Sequence, residues 1–209
     1  VKFEDATGTS LLLDDEYVIS VVASEHNTAA RTNLGRLFIW GSNVRGQLGQ
    51  QGAMADGEGT YSDLPLLVTL PRNVDDPELK VVKVVLGVDN VAVLTENGWV
   101  YTFGANGYGQ LGDGTTDDGT HSTPTRVPGL SKVIDLSEGG RQNTIHAVRY
   151  DGTLWGWGSN LYNQIQLGDG TQFYARPKVA NLGDKDITFW RCRNISGYGQ
   201  YSACGEYHQ

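Results

Sequence analysis

Four histidines, His26, His121, His146 and His208, and two cysteines, Cys192 and Cys204, are the side chains of this 209-residue chain best suited to metal binding or nucleophilic chemistry. Their spacing supports neither. No His-Glu-x-x-His pair and no Cys-x-x-Cys set is present, so the ligand geometry of a zinc site is missing. One carboxylate cluster, in Leu111–His121 (LGDGTTDDGTH), holds Asp113, Asp117 and Asp118. That run lacks the alternating acidic positions and distal glutamate of a calcium-binding helix-loop-helix; a solvated turn accounts for it. There is no Gly-x-Ser-x-Gly elbow and no phosphate-binding loop, and no residue is nominated as a nucleophile. The chain is expected to be non-enzymatic, with no catalytic, cofactor-binding or metal-binding residue.

The elements that would position any site are written in a phrase spelled three times. It reads GRLFIWGSNVRGQLG from Gly35 to Gly49 and GWVYTFGANGYGQLG from Gly98 to Gly112. The third copy, GTLWGWGSNLYNQIQLG, runs from Gly152 to Gly168 and carries two extra residues before its closing Leu-Gly. Self-similarity of this kind marks an array of supersecondary units. Alternating apolar residues such as Leu37 and Ile39 suit half-buried strands. Asn97-Gly98 and Asp151-Gly152 read as two-residue hairpin turns, and Leu34-Gly35 as a poorer version. The pairs Trp40-Gly41, Phe103-Gly104 and Trp157-Gly158 set a large ring beside a residue that lets another backbone approach closely. Leu48, Leu111 and, by the closing Leu-Gly, Leu167 are the expected buried leucines of the three copies.

The phrase resembles the repeat of the regulator of chromosome condensation family, and the resemblance covers nearly the whole chain. It implies an all-β fold: a β-propeller whose blades are four-stranded antiparallel sheets. Each unit offers three meandering strands. A fourth is expected at an outer edge, where Pro65, Pro124 and Pro177 cost no ladder hydrogen bond. The approximate repeats are 17–79, 80–131, 132–183 and a partial 184–209. Within the last, Ile187 to Ser196 and Tyr201 to Cys204 resemble the first two strands of a unit. Three blades and part of a fourth make an incomplete ring, since closure takes four to eight. The expectation is a fragment of a longer polypeptide, or a ring completed by blades from another chain. His26 and His146 fall at the second strand of their units, where a structural hydrogen bond inside the blade is expected.

Composition narrows the function. The formal net charge is −8 and the pI about 4.9, which disfavours phosphate backbones. Arg191, Arg193 and Trp190 are too few to form a nucleic-acid groove. No apolar run approaches the ~20 residues of a membrane span. Cys192 and Cys204 either pair across adjacent strands or remain two half-buried thiols.

The first functional reading is therefore a scaffold for a protein partner. Its candidate contact residues are Tyr61, Tyr108, Tyr162 and Tyr174, because tyrosine joins a large contact area to a polar tip. The insertion Gln51 to Asp63 is a candidate binding loop on the rim. The resemblance also implies a second reading, a nucleotide-exchange regulator of a small GTPase. A polar composition with little lysine suits a third, an extracellular or virion structural component. A branch of the family senses ultraviolet light through tryptophan in a Gly-Trp-Arg-His-Thr motif. The matching stretches here, SEHNT, GVDNV, GRQNT and GYGQY, contain none.

Overall fold

The computed structural model describes residues 2–49, 60–71, 79–139 and 143–181, together with the backbone of two short strands at 195–198 and 201–204. Its elements are strands, and no helix occurs among the described residues. The first sheet has the order β1 (Val18–Ala23), β2 (Asn27–Thr32), β3 (Leu37–Ser42), β4 (Tyr61–Leu67). The second repeats it with β5 (Val81–Leu86), β6 (Asn90–Thr95), β7 (Val100–Asn106) and β8 (Asp117–Arg126). The third does so with β9 (Val133–Glu138), β10 (Thr144–Arg149), β11 (Leu154–Ser159) and β12 (Phe173–Val179). All pairs are antiparallel. A hairpin of β13 (Ile195–Tyr198) and β14 (Tyr201–Cys204) begins a fourth sheet. These sheets are blades 1 to 4 of an incomplete β-propeller. Each proline strand, β4, β8 or β12, lies at its sheet's edge, as the missing N–H requires.

The core lies between blades rather than within them. Between blades 1 and 2, Ala29, Leu37, Ile39 and Leu48 meet Val84, Val91, Val93 and Phe103. Between blades 2 and 3, Ala92, Leu94 and Val100 meet Leu136, Ile145, Ala147 and Trp157. Strand β6 serves both layers, so all six of its residues are buried. Period-two alternation then sends Val91 and Val93 to one neighbour and Ala92 and Leu94 to the other.

Two glycine positions explain the spelling of the repeat. Gly41, Gly104 and Gly158 hold φ of +109°, +104° and +89°. A Cβ there would lie 2.2–2.3 Å from the carbonyl oxygens of His26, Asp89 and Asn143 respectively. The hairpin glycines Gly35, Gly98 and Gly152 have φ of +78°, +77° and +82°. The hairpins differ from the two-residue turn expected. Gly98 N–H donates to Thr95 O, and Thr95 N–H donates to Trp99 O. Only the glycine is left-handed, and Asn97 and Asp151 are not. Each is a type I turn closed by a glycine bulge. This leaves the glycine carbonyl free to bind the next blade: Gly35 O accepts Val81 N–H and Gly98 O accepts Val133 N–H.

Candidate functional site

The end of the blades opposite these hairpins is built by the Asn-x-x-x-Gln part of the phrase. Asn43 Oδ1 accepts Leu48 N–H at 3.1 Å, Asn106 Oδ1 accepts Leu111 N–H at 3.1 Å, and Asn160 Oδ1 accepts Ile165 N–H at 2.9 Å. The oxygens of Gln47, Gln110 and Gln164 accept the N–H groups of Arg45, Tyr108 and Tyr162, each at 2.8 Å. One turn is thus made three times, and residues 45, 108 and 162 occupy one position in it. Buried polar side chains that satisfy backbone groups hold such a turn rigid.

This register corrects the third copy. Ile165, fully buried, takes the place of Leu48 and Leu111. Leu167 is only half-buried and lies beyond the turn. Asn163 and Gln166 (φ +57° and +62°) stand where the other copies have left-handed glycines. The two extra residues therefore follow Ile165, because the asparagine fixes the count from its own end and not from the closing Leu-Gly.

The aromatic-glycine pairs also divide. Phe103 and Trp157 are wholly buried, and Trp157 Nε1–H donates to Gln110 O of the preceding blade at 2.9 Å. Trp40 is half-buried, with Phe3 edge-on to its ring at 6.1 Å. It is thus no equal of the other two as a core residue, since no blade lies on that side among the described residues.

Of the candidate contact residues, Tyr108 and Tyr162 are exposed at equivalent turns, 42% and 61% accessible, and Tyr61 opens β4 at the same end of blade 1, 60% accessible. Tyr174 is different. It is 8% accessible and its hydroxyl donates to Asp169, so it braces blade 3. Sequence reading missed Val44, Leu161 and Phe173, all largely exposed at this end. Phe173 and Tyr61 both open the edge strand of their blade, paired with Ser159 and Ser42. That shared register was the signal available in the repeat.

The carboxylates of Leu111–His121 form local turns. Asp113 accepts Thr115 N–H at 2.8 Å. Asp117 accepts Gly119 N–H at 2.7 Å and lies 2.9 Å from His121 Nε2. Hydrogen bonds from His121 and then Gly119 hold the Asp117 carboxyl below its ordinary range. Among the described residues no three His, Cys, Asp or Glu side chains are placed to hold a metal ion. His146 is buried with Nε2 3.2 Å from Gln164 O, inside its own blade. Burial pushes its pKa down, against that hydrogen bond, which raises it. His26 instead is exposed and faces Asp89 of blade 2 at 3.8 Å. Side chains of Cys192, Cys204, Trp190, Arg191 and Arg193, and most of the insertion from Gln51, lie outside the described residues.

Known proteins agree with this geometry. The model of the regulator of chromosome condensation (RCC1) repeat matches residues 35–94 and 97–145, and a second model of the same description matches 18–47 and 81–110. The human E3 ubiquitin-protein ligase HERC2 is 29% identical over 177 residues, 83% of this chain and 4% of that protein. The ultraviolet-B receptor UVR8 of Arabidopsis thaliana is 33% identical over 173 residues, 82% of this chain and 36% of that protein. Prp20p from Saccharomyces cerevisiae superimposes with a TM-score of 0.72 at 19% identity, covering 88% of this chain and 42% of that one. The chain therefore spans less than half the length of each. With its repeated turn, its interlocked blades and these matches taken together, the chain belongs to the regulator of chromosome condensation (RCC1) repeat family.

Proposed function

We propose that this chain is a non-enzymatic protein-interaction module that engages its partner through the turn end of its blades. One observation carries the reading. The same hydrogen-bonded turn recurs in three blades and each time fixes the residue at position 45, 108 or 162, two of which are exposed tyrosines. Tyr61, Val44, Leu161 and Phe173 add exposed apolar surface at that end. Aromatic anchors on a rigid frame lose little entropy on binding, which suits protein recognition. The solved structure of Prp20p is described together with that protein's binding to Gsp1p and histones, which is in keeping with a protein partner for this architecture.

The test is a comparative capture experiment. The double substitution Tyr108→Ala with Tyr162→Ala should abolish cross-linking to partner proteins, while Tyr150→Ala, at a hairpin of the opposite end, should leave it intact. Equal capture by both variants would refute the reading. The regulatory alternative is separated by nucleotide release from a panel of small GTPases. Unchanged release supports the scaffold reading; acceleration at substoichiometric protein overturns it.

A further inference from the structure

Leucine stands three times around one seam where the matching seam is polar. Leu34 occupies the hairpin place that Asn97 and Asp151 hold in the other copies. Leu67, opposite Phe38, takes the place of Arg126, opposite Tyr101. Leu79 precedes Lys80 as Ser131 precedes Lys132, and the carbonyls of those two lysines accept matching hairpin N–H groups, from Glu96 and Tyr150. Blades 1 and 2 therefore meet at their hairpin end through leucines, and blades 2 and 3 through Asn97, Arg126 and Ser131. Leu34 and Leu67 are 41% and 37% accessible, so core packing does not explain them. Leucine at a turn position that prefers Asn or Asp breaks a local rule, and such departures concentrate at functional positions.

These leucines line one cavity of about 580 Å³, a size usual for small-molecule sites. Leu37, Val68, Leu70 and Val81 are its buried lining, and Leu13, from the segment before β1, adds an exposed wall. The polar side chains of the lining are those of Thr69, Arg36 and Lys80. No carboxylate lines it, in a chain of net charge −8. Arg36 is taken by Glu16 and by Leu11 O. Lys80 is exposed, and its ammonium has no partner among the described residues.

We propose that this cavity binds the alkyl chain of a fatty acid, with the carboxylate held at Lys80. An aliphatic chain asks for no hydrogen bond and gains by leaving water. A peptide fits less well: each of its residues brings a backbone donor and acceptor, and Thr69 is the one neutral polar side chain in the lining. An alkylammonium would be repelled by Lys80. The site lies at the end opposite the exposed tyrosines and is independent of the interaction reading.

The probe is sodium dodecanoate, below its micellar concentration, titrated into the 209-residue chain and followed by calorimetry. Saturable one-to-one binding is expected. Octanoate should bind at least about tenfold more weakly, since it buries fewer methylenes, and dodecylamine should not bind. The double substitution Leu34→Asn with Leu67→Arg writes the residues of blade 2 into blade 1. It should abolish binding and leave the melting temperature unchanged, because both leucines are exposed. Lys80→Gln should weaken dodecanoate about fivefold, the scale of one exposed ion pair, while Lys132→Gln, at the matching place of the next seam, changes nothing. Three results would each overturn the inference: no saturable binding, equal binding of dodecylamine, or undiminished binding by the double variant. Tighter binding of acetyl-trileucine than of dodecanoate would overturn it too, and would assign the cavity to a protein segment.

Discussion

Trp40 and Trp157 occupy the same register, each opposite the second strand of its blade and each before a left-handed glycine. Trp157 is sealed between blades 2 and 3 and bonded to Gln110 O, whereas Trp40 is half-buried beneath Phe3. The same contrast holds two strands inward. Val84 and Leu136 are 5% and 0% accessible, but Val21, their counterpart, is 60% accessible. Blade sequence supplies an apolar face; a neighbouring blade decides whether that face becomes core. Residues Phe3 and Leu11 partly take the neighbour's part, with Phe3 edge-on to Phe38 at 5.4 Å and Leu11 O accepting from Arg36.

The sharpest way to break this contrast is truncation of the two rings. Trp157→Ala should cost about 4 kcal/mol in denaturant unfolding, the scale for a large core ring, and Trp40→Ala less than half of that. Equal losses would mean that Trp40 is as well packed as its counterpart. The closing glycines of the second and third copies give the next largest difference. A Cβ on Gly112 would lie 2.9 Å from Trp157 Nε1, while Gly168 meets nothing within 4 Å. Both are left-handed, with φ of +71° and +66°. Gly168→Ala should therefore cost about 1 kcal/mol of backbone strain alone, and Gly112→Ala about twice that or more.

Acid titration probes the other face of blade 3 through His146, whose strand neighbours Ile145 and Ala147 pack toward blade 2. Its pKa lies below the ordinary value because burial disfavours the imidazolium. The unfolded chain thus takes up a proton that the folded chain refuses. The histidine's contribution is complete above its unfolded pKa and is lost as pH falls from about 6.5 toward the folded value, at up to about 1.4 kcal/mol per pH unit. His146→Gln should flatten that dependence in thermal melts between pH 7 and 5. The smallest test is Val→Thr at matched positions. Val84→Thr should destabilise by about 1–2 kcal/mol and Val21→Thr by about 0.5 kcal/mol or less. A comparable loss at both would show that β1 is covered in solution.

Much of the fold was legible because the repeat is spelled in residues with narrow conformational options. Left-handed glycine, proline at an edge and alternating apolar residues restrict a backbone locally. Reading went astray where register depended on a partner. Leu167 looked like the buried leucine because it precedes glycine, yet Asn160 counts forward to Ile165. Tyr174 looked like a contact residue because a loop tyrosine joins a large contact area to a polar tip, yet Asp169 draws its hydroxyl inward. Asp169 is itself held below its ordinary pKa, first by that hydroxyl and then by Thr171 N–H. Asn97-Gly98 looked like a two-residue turn because no local rule shows that the next blade will use the glycine carbonyl.

Sequence alone determined the strands, their order, the edge prolines and the glycines that permit blade contact, since each follows from local sterics and period-two patterning. Only the tertiary structure decided which faces became core, which tyrosines stayed exposed, and that Ile165 rather than Leu167 fills the third turn. The first two of these outcomes depend on side chains from adjacent blades, about fifty residues apart in the chain, and no local pattern encodes the neighbour that a residue will meet.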